Sequence, residues 1–196
     1  YFGVFTATEA AAAGALGALG IAMLVYRNFG LKDLWGSAID AARNTAMLFL
    51  ILAAAALLGH ALTKLRIPNQ MVDLVTQYGV SQLGFLAAVM VLIFVLGMFL
   101  ETISIILITT PVVLPVLAAL KIDPVWYGIL LTINLELALI TPPVGMNLFV
   151  VQGIREKGDL NDVIIGTLPF IVTLFAMIGL IVAFPGIAMW LPNLLN

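Results

Sequence analysis

Two carboxylates interrupt stretches that are otherwise apolar. Glu101 lies in Gly-Met-Phe-Leu-Glu-Thr-Ile-Ser (97–104), and Glu136 in Asn-Leu-Glu-Leu-Ala-Leu-Ile-Thr-Pro-Pro-Val-Gly-Met-Asn (134–147). Neither has an obvious basic partner nearby, and no Lys or Arg occurs between Lys121 and Arg155. A carboxylate in such a segment faces protein interior or water and marks a functional site by default. Four kinds of chemistry are open to each: capping a half-helix, accepting hydrogen bonds from broken backbone, titrating, or helping to hold a cation. Bracing the backbone from behind and direct ligation are equally open. The second stretch adds two amides, Asn134 and Asn147, and a Thr-Pro-Pro-x-Gly interruption. Pro142 and Pro143 offer no N–H and block the preceding turn, so a helix must end near Ile140. Gly145 lets the chain turn before a new helix opens at Met146 or Asn147. Backbone groups freed in hydrocarbon are costly unless paired, so such a break is tolerated mainly where it lines a cavity or holds an ion.

Composition sets the class. Of 196 residues, 63% are hydrophobic and 9% charged, and mean hydropathy is +1.20. Soluble domains carry roughly a quarter charged residues, so this is an all-α integral membrane protein. A soluble enzyme or nucleic-acid binder is excluded; net charge −2 leaves no basic patch for nucleic acid. The absence of Cys removes disulfides, thiolate metal sites and Cys nucleophiles, and one His builds no zinc site. No nucleophile–base pair or phosphate loop is present, so no enzyme and no organic cofactor is expected. The chain opens on Tyr1 without an initiating Met, as the second part of a longer polypeptide or a truncated chain would.

The elements that must position these groups follow in order. Thr6 or Thr8 caps a helix reaching Tyr26, with Glu9 in its first turn. Gly14, Gly17 and Gly20 give it a face for close helix contact. Residues 27–36 read as a polar connection with Trp35 as an interfacial anchor. A second span is expected over 41–63, closed by the basic segment 64–69, with His60 one turn from its end as an interfacial or packed histidine. Met71, Leu74, Val75 and Tyr78 predict a short interfacial helix over 69–79. Residues 82–120 are nearly all apolar, broken at 97–104. Arms of about 15 residues span ~22 Å, short of a ~30 Å hydrocarbon core, which favours a re-entrant hairpin over full passes kinked at Pro111 and Pro115. Pro124 opens the helix that runs to the 141–145 break, and a half-helix from Met146 reaches Ile154. Arg155, Glu156, Lys157, Asp159 and Asp162 mark a surface, and a last span is expected over 163–190, with Pro169 and Pro185 as kinks. Arg27, Lys32, Arg43, Arg155 and Lys157 then share one side against Lys64, Arg66 and Lys121, which places the first group in the cytoplasm and both chain ends outside.

Four ordered segments carry a family resemblance: Gly-Met-Phe-Leu-Glu-Thr (97–102), Thr-Pro-Val-Val-Leu-Pro (110–115), Ile-Asp-Pro-Val-Trp-Tyr-Gly (122–128) and the 134–150 stretch. Together they resemble the C-terminal half of the large membrane subunit (M-type permease) of a TRAP transporter, the tripartite ATP-independent periplasmic family. The opening Gly-Val-Phe-Thr-Ala-Thr-Glu-Ala (3–10) is similar to that family's mid-protein segment, with Ala7 where a Pro is usual. The resemblance implies the second inverted repeat of an elevator-type transporter, with a re-entrant hairpin and a broken helix. It divides the chain into 1–68, two scaffold-like helices; 69–155, a transport-domain-like part; and 156–196, a C-terminal helix.

It also implies Na⁺-coupled import of an organic acid, of the C4-dicarboxylate or sialic-acid type, at the bacterial inner membrane. The partners it implies are a small Q-type membrane subunit, a periplasmic substrate-binding protein, the N-terminal half of the same subunit and the lipid bilayer. Carried over by position, Gly97, Glu101, Thr102, Thr141, Pro142 and Gly145 frame a Na⁺ site. Ser104, Met146 and Asn147 face the substrate, and Asn134 and Glu136 support from behind. Freed carbonyls and hydroxyls suit a hard cation, and half-helix N-termini near Ser104 and Met146 suit a carboxylate. A proton-coupled carrier using Glu101 or Glu136, a non-transporting structural subunit and a channel are the alternatives.

Overall fold

The computed structural model describes residues 6–27, 29–155 and 158–195. Glu156 and Lys157, expected to mark a surface, lie outside the described residues, as do residues 1–5 of the opening segment. Nine α-helices and one π-helical turn make up the secondary structure of the described residues, with no strand among them. Four helical stretches are long and apolar enough to cross a membrane: Ala7–Tyr26, Leu31–Lys64, Thr102–Ala119 and Leu160–Ala183. The fold is that of an all-α, multi-pass membrane protein.

The chain divides into two compact units, Tyr1–Ile51 and Leu52–Asn196. In the first, α1 (Ala7–Ile21) is capped by Thr6, the earlier of the two threonines weighed. Thr6 Oγ1 accepts from the Glu9 N–H (3.3 Å), while Glu9 Oε2 accepts from the Thr6 N–H (2.8 Å), which satisfies two orphan donors reciprocally. A π-helical turn (Ala22–Tyr26) ends at Arg27 in the left-handed region, φ 53°.

The second helix corrects the sequence reading. It spans Leu31–Lys64, 34 residues, and so begins ten residues before the expected start at 41. Residues 31–36 of the expected connection are its first turns, and Arg27, Phe29 and Gly30 remain outside it. Lys32, Asp33, Asp40, Arg43 and Asn44 lower hydropathy without breaking a helix, and Asp33 Oδ2 closes the start by accepting from the Gly30 N–H at 2.8 Å. At ~51 Å the helix outruns a ~30 Å hydrocarbon core, so its polar first turns suit headgroups or water.

In the second unit, α3 (Ile67–Gln77) lies over the expected interfacial segment, with Pro68 in its first turn. Then come α4 (Gln82–Gly97), α5 (Thr102–Ala119), α6 (Pro124–Leu139) and α7 (Met146–Ile154). The core lies where α4, α5 and α6 meet: Ile93, Ile105, Val116, Leu117, Leu130 and Leu135 are each buried to 2% exposure or less. Pro111 and Pro115 both sit inside α5, which remains one helix. At 18 residues α5 exceeds the arm expected from sequence, whereas α4 has 16.

The final span is also corrected. Instead of one helix over 163–190, α8 (Leu160–Ala183) ends at Phe184 (φ −131°, ψ 73°), and α9 (Pro185–Leu195) follows. Pro185 is therefore not a kink. Its ring is pre-set for a first helical position, where its missing N–H costs nothing. Pro169 lies inside α8 as expected. The Trp126 indole N–H donates to the Ile181 carbonyl (3.2 Å), and Phe94 meets Phe175 edge-on at 5.8 Å, so α8 is seated on both α6 and α4.

Candidate functional site

The hairpin tip and the helix break come together. Residues 98–101 link α4 to α5, and residues 140–145 link α6 to α7. The Gly145 N–H donates across the gap to the Met98 carbonyl at 3.2 Å. One turn deeper, Gly97 is buried against α6, and a Cβ built there would stand 2.7 Å from Ala138 Cβ. No other residue fits that approach without moving a helix.

The break forms as its residues dictate. α6 stops at Leu139, and Thr141 finishes it: its N–H reaches Ala138 O (3.1 Å) and its hydroxyl donates to Leu137 O (2.6 Å). The Pro142–Pro143 peptide is cis. Gly145 (φ 52°) turns the chain into α7. The carbonyl oxygens of Thr141 and Leu139 crowd this glycine, at 2.9 and 3.2 Å from where a Cβ would stand. Among the described residues neither oxygen accepts a backbone hydrogen bond. Two carbonyl oxygens without a backbone donor thus lie around Gly145 where helix geometry has been abandoned, with Leu148 Cδ1 equally near, at 2.9 Å from the same point.

Glu101 takes one of the roles open to it. It is the N-cap of α5, with Oε2 accepting from the Ser104 N–H (3.0 Å) and hydroxyl (3.3 Å). The half-buried carboxylate therefore neutralises the positive end of α5, and the Ser104 hydroxyl is turned toward it. Thr102, half-buried, begins the same helix. Met146 and Asn147 are exposed on the first turn of α7, with Pro142 half-buried beside the break.

Asn134 and Glu136 lie elsewhere along α6. Asn134, buried to 4% exposure, donates from Nδ2 to the Met90 carbonyl of α4 at 2.9 Å. Glu136 is exposed and lines a cavity of about 300 Å³ with Ile140, Thr167, Phe170 and Thr173, between α6 and α8. The residues missed from sequence are Met98, Met90 and Ala138. The first two act through main-chain carbonyls, which no side-chain pattern announces; the third is one small residue among many.

Comparison with known proteins supports one family. The model of the tripartite ATP-independent periplasmic transporter, DctM component, matches residues 1–187. Over 196 residues the chain is 37% identical to the C4-dicarboxylate TRAP transporter large permease protein DctM of Pseudomonas aeruginosa, covering all of this chain and 46% of that protein. It is 35% identical over 215 residues to the protein of the same name from Vibrio cholerae, covering 100% of this chain and 47% of that one. Similarity extends at 30% identity over 195 residues to the sialic acid TRAP transporter permease protein SiaT of Haemophilus influenzae, of which 32% is covered. The chain spans about half the length of the two DctM relatives. All three are named as transporter permeases, not enzymes, in keeping with the reading from sequence.

Proposed function

The chain belongs to the DctM component of the tripartite ATP-independent periplasmic transporter family, and from that membership we propose that it serves Na⁺-coupled uptake of an organic acid. The observation that carries the reading is the Gly145–Met98 hydrogen bond, which sets the hairpin tip on the helix break where the Leu139 and Thr141 carbonyls lie. Sodium is a hard cation, best held by several oxygens. These two carbonyls, with the hydroxyls of Thr141 and Thr102, form a neutral oxygen set for it; Pro143 leaves Leu139 O without its helix-register donor, and the Gly145 N–H that would serve Thr141 O goes to Met98 O instead, with Pro142 beside them at the break. Glu101 supports the set by holding the start of α5 and adds negative charge nearby. The N-terminus of α5 is already met by Glu101, so the N-terminus of α7 is the one that favours an anionic carboxylate, bound near Met146 and Asn147 with Ser104 at the tip beside them. Cation and anion side by side raise each other's affinity, and that reciprocal coupling ties one flux to the other.

The remaining expectations belong to this proposal. Residues 69–155 act as the moving part of an elevator, 1–68 and 156–196 as its surroundings, and α4–α5 as a re-entrant hairpin entered from outside. The chain works in the bacterial inner membrane with both ends periplasmic. Its partners are the N-terminal half of the large subunit, a small Q-type subunit and a periplasmic substrate-binding protein. The acids carried are of the C4-dicarboxylate or sialic-acid kind that relatives are named for.

The test is uptake into proteoliposomes with the binding protein present, scanning organic acids with and without a Na⁺ gradient. Uptake of at least one acid should require the gradient. Gly145→Leu should abolish it, and Thr141→Ala should raise the half-saturating Na⁺ concentration about tenfold, the scale of one lost polar contact. Wild-type uptake by both variants sinks the site. One observation favours a second reading: Glu136 stands exposed on an apolar helix with no basic residue near it in sequence. Uptake driven by a pH gradient, indifferent to Na⁺ and lost in Glu136→Gln, selects a proton-coupled carrier instead.

A further inference from the structure

Asn134 is the one buried polar side chain among the described residues, and its amide does not point at the break. It donates to Met90 O of α4 at 2.9 Å. Met90 precedes Met98 by eight residues, about 12 Å along a helix. The end of α4 is therefore tied to the broken helix on both sides of its break: Met90 to Asn134 of α6, and Met98 to Gly145 at the start of α7, with the Gly97–Ala138 approach between them.

The need for the Met90–Asn134 link follows from the surfaces it joins. α4 runs Gln-Leu-Gly-Phe-Leu-Ala-Ala-Val-Met-Val-Leu-Ile-Phe-Val-Leu-Gly, apolar on every side beyond its first residue. Apolar contact has little directional preference, so beyond the Gly97–Ala138 approach little in it chooses one axial position for α4 on α6. A slip of one residue moves α4 by about 1.5 Å and turns it by about 100°. That replaces Gly97 with Leu96 or Met98 opposite Ala138 and takes the Met98 carbonyl away from Gly145. A buried amide must keep an acceptor, and a one-residue slip that turns α4 by about 100° carries the Met90 carbonyl away from it, so Asn134 opposes such slips at some cost in stability.

We infer that Asn134 is a positioning residue: its amide sets the register of α4 on α6, and through that register holds the hairpin tip over the helix break. Its consequence for sodium rests on the function proposed above; the register itself does not. The tip is then no freely opening flap but part of one body with α6 and the break.

The experiment uses the complete permease with its partners. This chain has no Cys, so Phe99→Cys and Phe149→Cys, both at exposed positions, place two spin labels at the tip and just past the break without competition from its own residues. With Asn134 present the label-to-label distance distribution should be narrow. In Asn134→Leu it should broaden while the melting temperature holds or rises, and half-saturating Na⁺ should increase about tenfold at an unchanged maximal rate. Asn134→Ala, which adds no bulk, gives the same reading should the Leu variant fail to fold. An unchanged distribution in the variants, or a broad one with Asn134 in place, overturns the inference. If uptake with Asn134 in place ignores Na⁺, the sodium reading fails, and the distances still decide the register.

Discussion

Gly97 is the position where an added side chain would push the hairpin tip off the broken helix, whereas at Gly145 it would collide with the break's own Leu148, Thr141 and Leu139. At Gly97 the obstacle is Ala138 Cβ, 2.7 Å from the new atom, on a buried helix with no flexible end to swing aside. Overpacking of this kind costs ~1–3 kcal/mol. Gly97→Ala should therefore lower the melting temperature of the detergent-solubilised permease, and Ala138→Gly in the same molecule should recover most of the loss. Additive losses in the double variant would show that the two residues do not meet. These glycines were legible in sequence as members of a site, Gly145 for its turn and Gly97 for its place at the tip. That Gly97 is needed for helix approach was not legible, because the partner is an unremarkable Ala 41 positions away. Glu101 shows the opposite case. Its capping role was open from sequence among others, and the hydrogen bonds to Ser104 select it.

The ends of α6 are marked by backbone chemistry and readable, whereas the start of the second helix and the α8–α9 boundary are not. The double proline stops α6 at Leu139, and Asp123 with Pro124 starts it, Asp123 Oδ1 accepting from the Val125 (2.7 Å) and Trp126 (3.1 Å) N–H groups. The start of the helix Leu31–Lys64 is hidden in sequence by its charged residues, although Lys and Ala are good helix formers outside the hydrocarbon and Asp33 suits a first turn. Pro185 was given to the wrong side of a boundary, since a proline that kinks one helix and one that opens the next look alike in a string. The hairpin is the element with most at stake. If α4 and α5 are re-entrant, Phe99→Cys in intact vesicles should resist a membrane-impermeant maleimide applied to the face opposite Ser81 and Lys121. Rapid labelling from that face would make both arms full passes.

For the whole molecule, family membership and the meeting of two broken elements point the same way. About half of each DctM relative lies beyond this chain's match. The ion site proposed here draws its oxygens from the tip and the break alone. Calorimetric titration of the purified complete permease with Na⁺, at constant ionic strength, tests this most directly. Saturable Na⁺ binding that Gly145→Leu eliminates, in a protein that still melts cooperatively, is the predicted result. Equal Na⁺ binding by both proteins, or none by either, would contradict it.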